Sequence, residues 1–124
     1  MTEDSDARFA ALVDEALAAI PKPFREQLGS VAIVIADEPT ADELASVGAH
    51  GLFGLYSGVP RTAWGAAGAP IPSKITIFRG PLERANPDPP ALALAVRDTV
   101  FHEVAHHLGI GDGRLRELAS RHVG

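Results

Sequence analysis

At 124 residues the chain is expected to form a single domain over 1–124, and 46% hydrophobic against 22% charged residues marks it as globular rather than disordered. With no Cys, disulfides and thiolate metal sites are excluded, so any metal must be held by His and carboxylate side chains. The formal net charge of −5, without a basic stripe, argues against a nucleic-acid partner.

The start Met1-Thr2-Glu3-Asp4-Ser5-Asp6 is acidic and lacks the basic region of a secretory signal. No run of about 18 apolar residues is present to span a membrane, so cytoplasmic residence is the expectation. Asp6 or Ser5 can cap a first helix over residues 7–20, where Phe9, Leu12, Val13, Ala16, Leu17 and Ile20 fall on one apolar face. Pro21 and Pro23 end it. Val31-Ala32-Ile33-Val34-Ile35 is apolar throughout and reads as a buried strand. A short helix is expected around Ala41–Val47, with Gly48 as its stop.

Residues 49–73 are rich in Gly and Pro, with a second strand expected at Leu52–Tyr56. Lys74-Ile75-Thr76-Ile77-Phe78 alternates with period two, the pattern of a strand with one buried face. Gly80-Pro81 marks a turn, and Asn86-Pro87-Asp88-Pro89-Pro90 a proline-rich loop. From Pro90 a long helix should run to about Leu108, apolar on much of its circumference and therefore largely buried. A last helix is expected over Arg114–Arg121.

The long helix carries His102-Glu103-Val104-Ala105-His106-His107-Leu108-Gly109-Ile110-Gly111-Asp112, an HExxH pattern extended to HExxHxxGxxD. His102 and His106 are four apart, one turn from each other on one helix face, and two imidazoles so placed can bind one Zn²⁺. Glu103, beside the first of them, can serve as general base toward water at the metal. Gly109 falls where the helix could end in a left-handed turn, which would swing Asp112 back as a third, oxygen ligand. Three protein ligands would leave a fourth position open, as in a catalytic site. Asp112 also suits the N-cap of the last helix, so ligand and cap both stand as readings. His107 points about 100° away from His106 around the helix, which suits a supporting or packing role. Tyr56 in Gly54-Leu55-Tyr56-Ser57-Gly58 could donate to an oxyanion or simply pack in the core. Asp98, one turn before His102, could orient that imidazole or lie on a solvated helix face. His50 and His122 read as surface or satisfied core residues, and Trp64 and Phe53 as cover for the core.

The motif, together with Gly54-Leu55-Tyr56-Ser57-Gly58-Val59-Pro60 and Ile75-Thr76-Ile77-Phe78-Arg79-Gly80-Pro81-Leu82-Glu83, resembles the small bacterial minimal-zincin metallopeptidase-like family over nearly the whole chain. The resemblance implies a zincin-like α+β fold: a small mixed sheet packed on the active-site helix, with a short edge strand bordering the cleft. It also implies Zn²⁺ at His102, His106 and Asp112, with Glu103 as catalytic glutamate. In the metzincin-like variant the last ligand position is often His where this chain has Asp112. The only Met is Met1, so no Met-turn can lie beneath the metal, and the sequence ends at Gly124, twelve residues after Asp112.

Two functions follow as expectations. The first is a zinc peptidase acting on short or unstructured peptides, which would add to an exposed strand edge near Ile75–Phe78. The second is a metal-binding regulatory or interaction module that keeps the fold without useful turnover.

Overall fold

The computed structural model describes residues 2–28, 31–47, 52–58 and 73–110. The chain opens on α1 (Thr2–Ala18), followed by the short α2 (Lys22–Arg25) and a 3-10 turn (Glu26–Leu28). Then come β1 (Ala32–Ala36), α3 (Ala41–Val47), β2 (Gly54–Ser57), β3 (Lys74–Phe78), α4 (Arg79–Ala85) and α5 (Pro89–Leu108). The expected helix over Arg114–Arg121, His50, Trp64 and His122 lie outside the described residues.

The three strands form one mixed sheet in the order β1-β3-β2, with β1 parallel and β2 antiparallel to β3. Helix α5 packs against the sheet through β2 and β3 and against α1. The α+β arrangement of a small mixed sheet on a long helix is therefore present.

The core follows the apolar periodicity of the two long helices. Phe9, Val13 and Ala16 of α1 and Ile20 just beyond it cluster with Val96, Val100, Phe101 and Val104 of α5, with Ile75 and Ile77 of β3 beside them. Burying each large aliphatic or aromatic side chain of this kind stabilises by roughly 1.5–3 kcal/mol before chain entropy is counted.

Several expectations need correction. Helix α1 begins at Thr2, not at residue 7, so neither Ser5 nor Asp6 caps it. Asp6 instead pairs with Arg79, its Oδ1 lying 2.9 Å from Nη1. Strand β1 is not buried: Val34 and Ile35 are 39% and 38% exposed, because β1 is an outer strand whose described pairing is to β3 alone. β3 is the middle strand, so Ile75–Phe78 is no free edge, and Ile75, Thr76, Ile77 and Phe78 are all buried. Among the described residues the outer strand beside α5 is β2. Gly80-Pro81 is not a turn but the first turn of α4. Pro81 sits at the third helical position, where no intrahelical N–H is required.

Caps explain where the remaining helices start and stop. Thr40 and Glu43 close the start of α3 reciprocally: Glu43 N–H donates to Thr40 Oγ1 at 3.0 Å and Thr40 N–H to Glu43 Oε1 at 2.8 Å. Asp88 caps α5, its Oδ2 accepting from Ala91 N–H at 3.3 Å. Gly109 ends α5 at φ 74, and the N–H groups of Gly109 and Ile110 donate back to His106 and Ala105 carbonyls at 3.2 and 3.0 Å. The left-handed turn expected at Gly109 is thus in place.

Arg79 ties three elements together. Its guanidinium reaches Asp6 of α1 and, at 2.8 Å, Asp37 after β1, with Glu83 of its own helix 3.9 Å away. Arg84 forms a two-armed pair with Glu38 at 2.6 and 2.9 Å. Both pairings clamp α4 to the end of β1, and Gly80 N–H adds a bond to Asp37 O at 2.8 Å.

Candidate metal centre

His102, Glu103, His106 and His107 occupy the last turns of α5, and the sheet sorts them into two environments. His102 and His106 are exposed on one helix face. Glu103 and His107 are buried, at 7% and 0% exposure. Four-residue spacing places the two exposed imidazoles one above the other.

Glu103 lies at the base of a cleft of about 290 Å³ lined by Leu52, Phe53, Gly54, Asp98, Thr99, His102 and Glu103. One carboxylate oxygen, Oε2, is 4.0 Å from His102 Nε2. Burial pushes the Glu103 carboxyl above the ordinary carboxylate range. The imidazoles of His102 and His106, and a hydrogen bond donated by the Tyr56 backbone N–H, pull it part of the way back. A carboxyl with these opposing influences is suited to taking up and releasing a proton.

Tyr56 comes up from β2 behind the motif and is itself only 7% exposed. Its hydroxyl is 2.9 Å from His107 Nδ1 and 3.0 Å from Ser73 Oγ. Its ring centroid is 5.1 Å from that of His106 and 5.4 Å from that of His107. Asp98 is exposed and borders the same cleft as His102, one turn earlier on α5. Phe53 does not cover the core: it is 43% exposed at the cleft wall.

Strand β2 approaches α5 closely because Gly54 lacks a side chain. A Cβ there would meet Thr99 Cγ2 at 2.7 Å and Glu103 Cγ at 3.2 Å. Gly54, Thr99, Ser73 and Leu52 were not singled out by sequence reasoning. The signal available for them was the pair of glycines, Gly54 and Gly58, bracketing Tyr56.

A larger hollow of about 440 Å³ lies between α1 and the start of α5, walled by Phe9, Leu12, Pro87 and Leu92. It is at the opposite end of α5 from the histidines, so volume does not mark the site here.

Among the described residues, no group of three His, Cys, Asp or Glu side chains stands close enough to hold a metal ion. Asp112, the expected third ligand, lies outside the described residues. The two exposed imidazoles one turn apart are donors whose chemistry suits Zn²⁺.

A family profile described as zincin-like metallopeptidase matches residues 28–122. Among solved structures, a conserved hypothetical protein from Thermus thermophilus is similar at a TM-score of 0.56 and 21% identity, over 93% of this chain and 97% of that one. At that identity the likeness concerns the fold. No curated protein matches the chain. No helix among the described residues is long and apolar enough to cross a membrane. The chain belongs to the zincin-like metallopeptidase family.

Proposed function

We propose that the chain is a zinc-dependent peptidase in which His102, His106 and Asp112 hold the metal and Glu103 is the general base. The observation that carries this reading is a buried carboxyl, raised above its ordinary value, 4.0 Å from the His102 imidazole in a cleft, with the His106 imidazole exposed one turn further along the helix. When bound, zinc would supply Lewis acidity, lowering the pKa of water in its open position toward about 7 and polarising a carbonyl oxygen. Glu103 accepts the proton of the attacking water on its carboxylate and passes it to the departing amine. Burial favours the protonated form and so assists the first of these transfers, proton uptake.

The substrate is an extended peptide laid along β2. Phe53 O accepts from Phe78 N–H at 2.9 Å, so the backbone groups of Phe53 face β3. Alternation then turns those of Gly54 and Tyr56 away from it. Glu103 takes the Tyr56 N–H, which leaves the Gly54 groups directed to the edge that a peptide strand would join.

Zinc content of protein purified without added metal or chelator, beside a His106→Ala control, tests the metal. About one zinc per chain, lost in the control, supports it. A peptide-library digest then compares wild type with Glu103→Gln. Cleavage that disappears in the variant while zinc stays bound supports the peptidase. Zinc bound in both with no difference in digest would instead make the chain a metal-binding interaction module.

A further inference from the structure

We infer that Tyr56 is a positioning residue for this site: it holds the His106 imidazole and the Glu103 carboxylate in place relative to strand β2 through three separate groups of one side chain and backbone. The inference rests on the metal-dependent reading above.

Each group reaches a different motif residue. The backbone N–H donates to the Glu103 carboxylate. The ring lies 5.1 Å from the His106 ring, tilted by 49°. The hydroxyl is 2.9 Å from His107 Nδ1. A fourth contact, 3.0 Å to Ser73 Oγ, anchors the same hydroxyl at the start of β3. The ring is thus fixed at its far end by two buried partners, and its position fixes one side of the space open to His106.

The neighbouring backbone is shaped around this arrangement. At Gly58, φ is 146, and a Cβ would stand 2.7 Å from Ser73 Oγ and 3.0 Å from Tyr56 Oη. Only a residue without a side chain leaves room for the hydroxyl pair. A core that needed filling alone would be served by Phe or Leu. Burying a phenol, a hydroxyl and an imidazole together costs desolvation that their mutual hydrogen bonds must offset. In return the ring acquires a single orientation, and the imidazole beside it loses rotational freedom. Partners that orient a metal-binding histidine typically matter about 10–100-fold in affinity.

The test compares wild type, Tyr56→Phe and Tyr56→Leu with two readouts. The first is metal-free: the Hα–Hβ scalar couplings of His106, which report its χ1 rotamer and do not change merely because a neighbouring aromatic ring is removed. They should move toward rotamer-averaged values in Tyr56→Leu, and by less in Tyr56→Phe, which keeps the ring but not its anchor. The second is the zinc dissociation constant, measured by competition with a chromophoric chelator well below each variant's melting temperature. It should weaken about 10–100-fold in Tyr56→Leu and only a few-fold in Tyr56→Phe. A tyrosine that merely fills the core would lower melting temperatures while leaving the His106 couplings unchanged and zinc affinity within about twofold, and that result would overturn the inference. If wild type takes up no zinc, the metal reading fails, and the His106 couplings alone decide whether Tyr56 positions that ring. Should Tyr56→Leu not fold, Tyr56→Phe still carries both readouts, and unchanged values there would overturn the proposal.

Discussion

Gly54 of β2 lies so close to Thr99 of α5 that a Cβ on the glycine would come within 2.7 Å of the threonine methyl. Strand and motif helix meet here at backbone distance. Gly54→Ala should therefore destabilise by about 1–3 kcal/mol, as overpacking of a close contact does. Thr99→Ser, which removes the methyl, should recover much of that loss in the double variant. Denaturant melts of the two singles and the double measure the coupling, and additive losses would mean the two residues do not meet.

Glu103 should be a liability to the metal-free fold. Burial raises its folded pKa above the ordinary value, so the neutral form is favoured in the folded chain. Below the unfolded value both states are protonated and no penalty arises. As pH climbs from the unfolded value to the folded one, the unfolded chain ionises first and stability declines; above the folded value the penalty is complete. Glu103→Gln should accordingly melt a few degrees higher than wild type at pH 7. The difference should shrink as pH falls and be absent below about pH 4. Thermal melts of both proteins in chelator, from pH 3.5 to 8, give the comparison. A variant less stable than wild type at pH 7 would show that pairing with His102 and His106 outweighs burial.

Arg79 bridges Asp6, Asp37 and Glu83 with its own side chain only 18% exposed. Its partners Asp6 and Asp37 are open to solvent at 60% and 78%, which screens each pair. Arg79→Met should cost about 1 kcal/mol at low salt, and the cost should fall in 1 M salt as the Debye length drops to about 3 Å. Arg84→Ala, which removes a pair exposed on both sides, should change the melting temperature much less. Equal losses in both variants, insensitive to salt, would point to packing of the aliphatic stems instead.

Gly109 holds φ 74 at the end of α5. Gly109→Ala should cost about 1–2 kcal/mol, the usual penalty for a Cβ in the left-handed region. Gly109→Asn should cost less, since Asn tolerates that conformation. Chemical denaturation of the two variants separates them, and an equal loss in both would mean that something other than backbone conformation sets the penalty.

The sequence read most clearly where one element carries its own signals. Helix α5 has a capping Asp88, prolines in its first turn and Gly109 at its end, and it was legible to within a residue. The spacing of His102, Glu103 and His106 was legible for the same reason, being local to one helix. Strand order was not. The unbroken apolar run Val31–Ile35 reads as the buried strand and the alternating Ile75–Phe78 as the exposed edge, yet β1 is outer and β3 lies between the other two. Nothing in a run of Val and Ile states which neighbour it will pair with. Helix α4 was hidden because Gly80-Pro81 has turn chemistry, although proline is acceptable in a first helical turn. The Tyr56 contacts were the least legible. They join β2 to residues far along the chain, His107 lying 51 positions away, and only the placement of β2 against α5 brings them together.

The twenty residues of α5 end just beyond the histidines, at the carboxyl terminus of the helix. Aligned peptide dipoles leave about half a negative charge at such an end, felt within the last turn. His106 and His107 both lie in that turn. The backbone of this helix therefore lends an attractive field to any positive ion approaching His106, independently of the side chains that would grip it. The field arises from the aligned peptide groups at that end, so a substitution that frays the last turn should weaken cation attraction even where it removes no ligand.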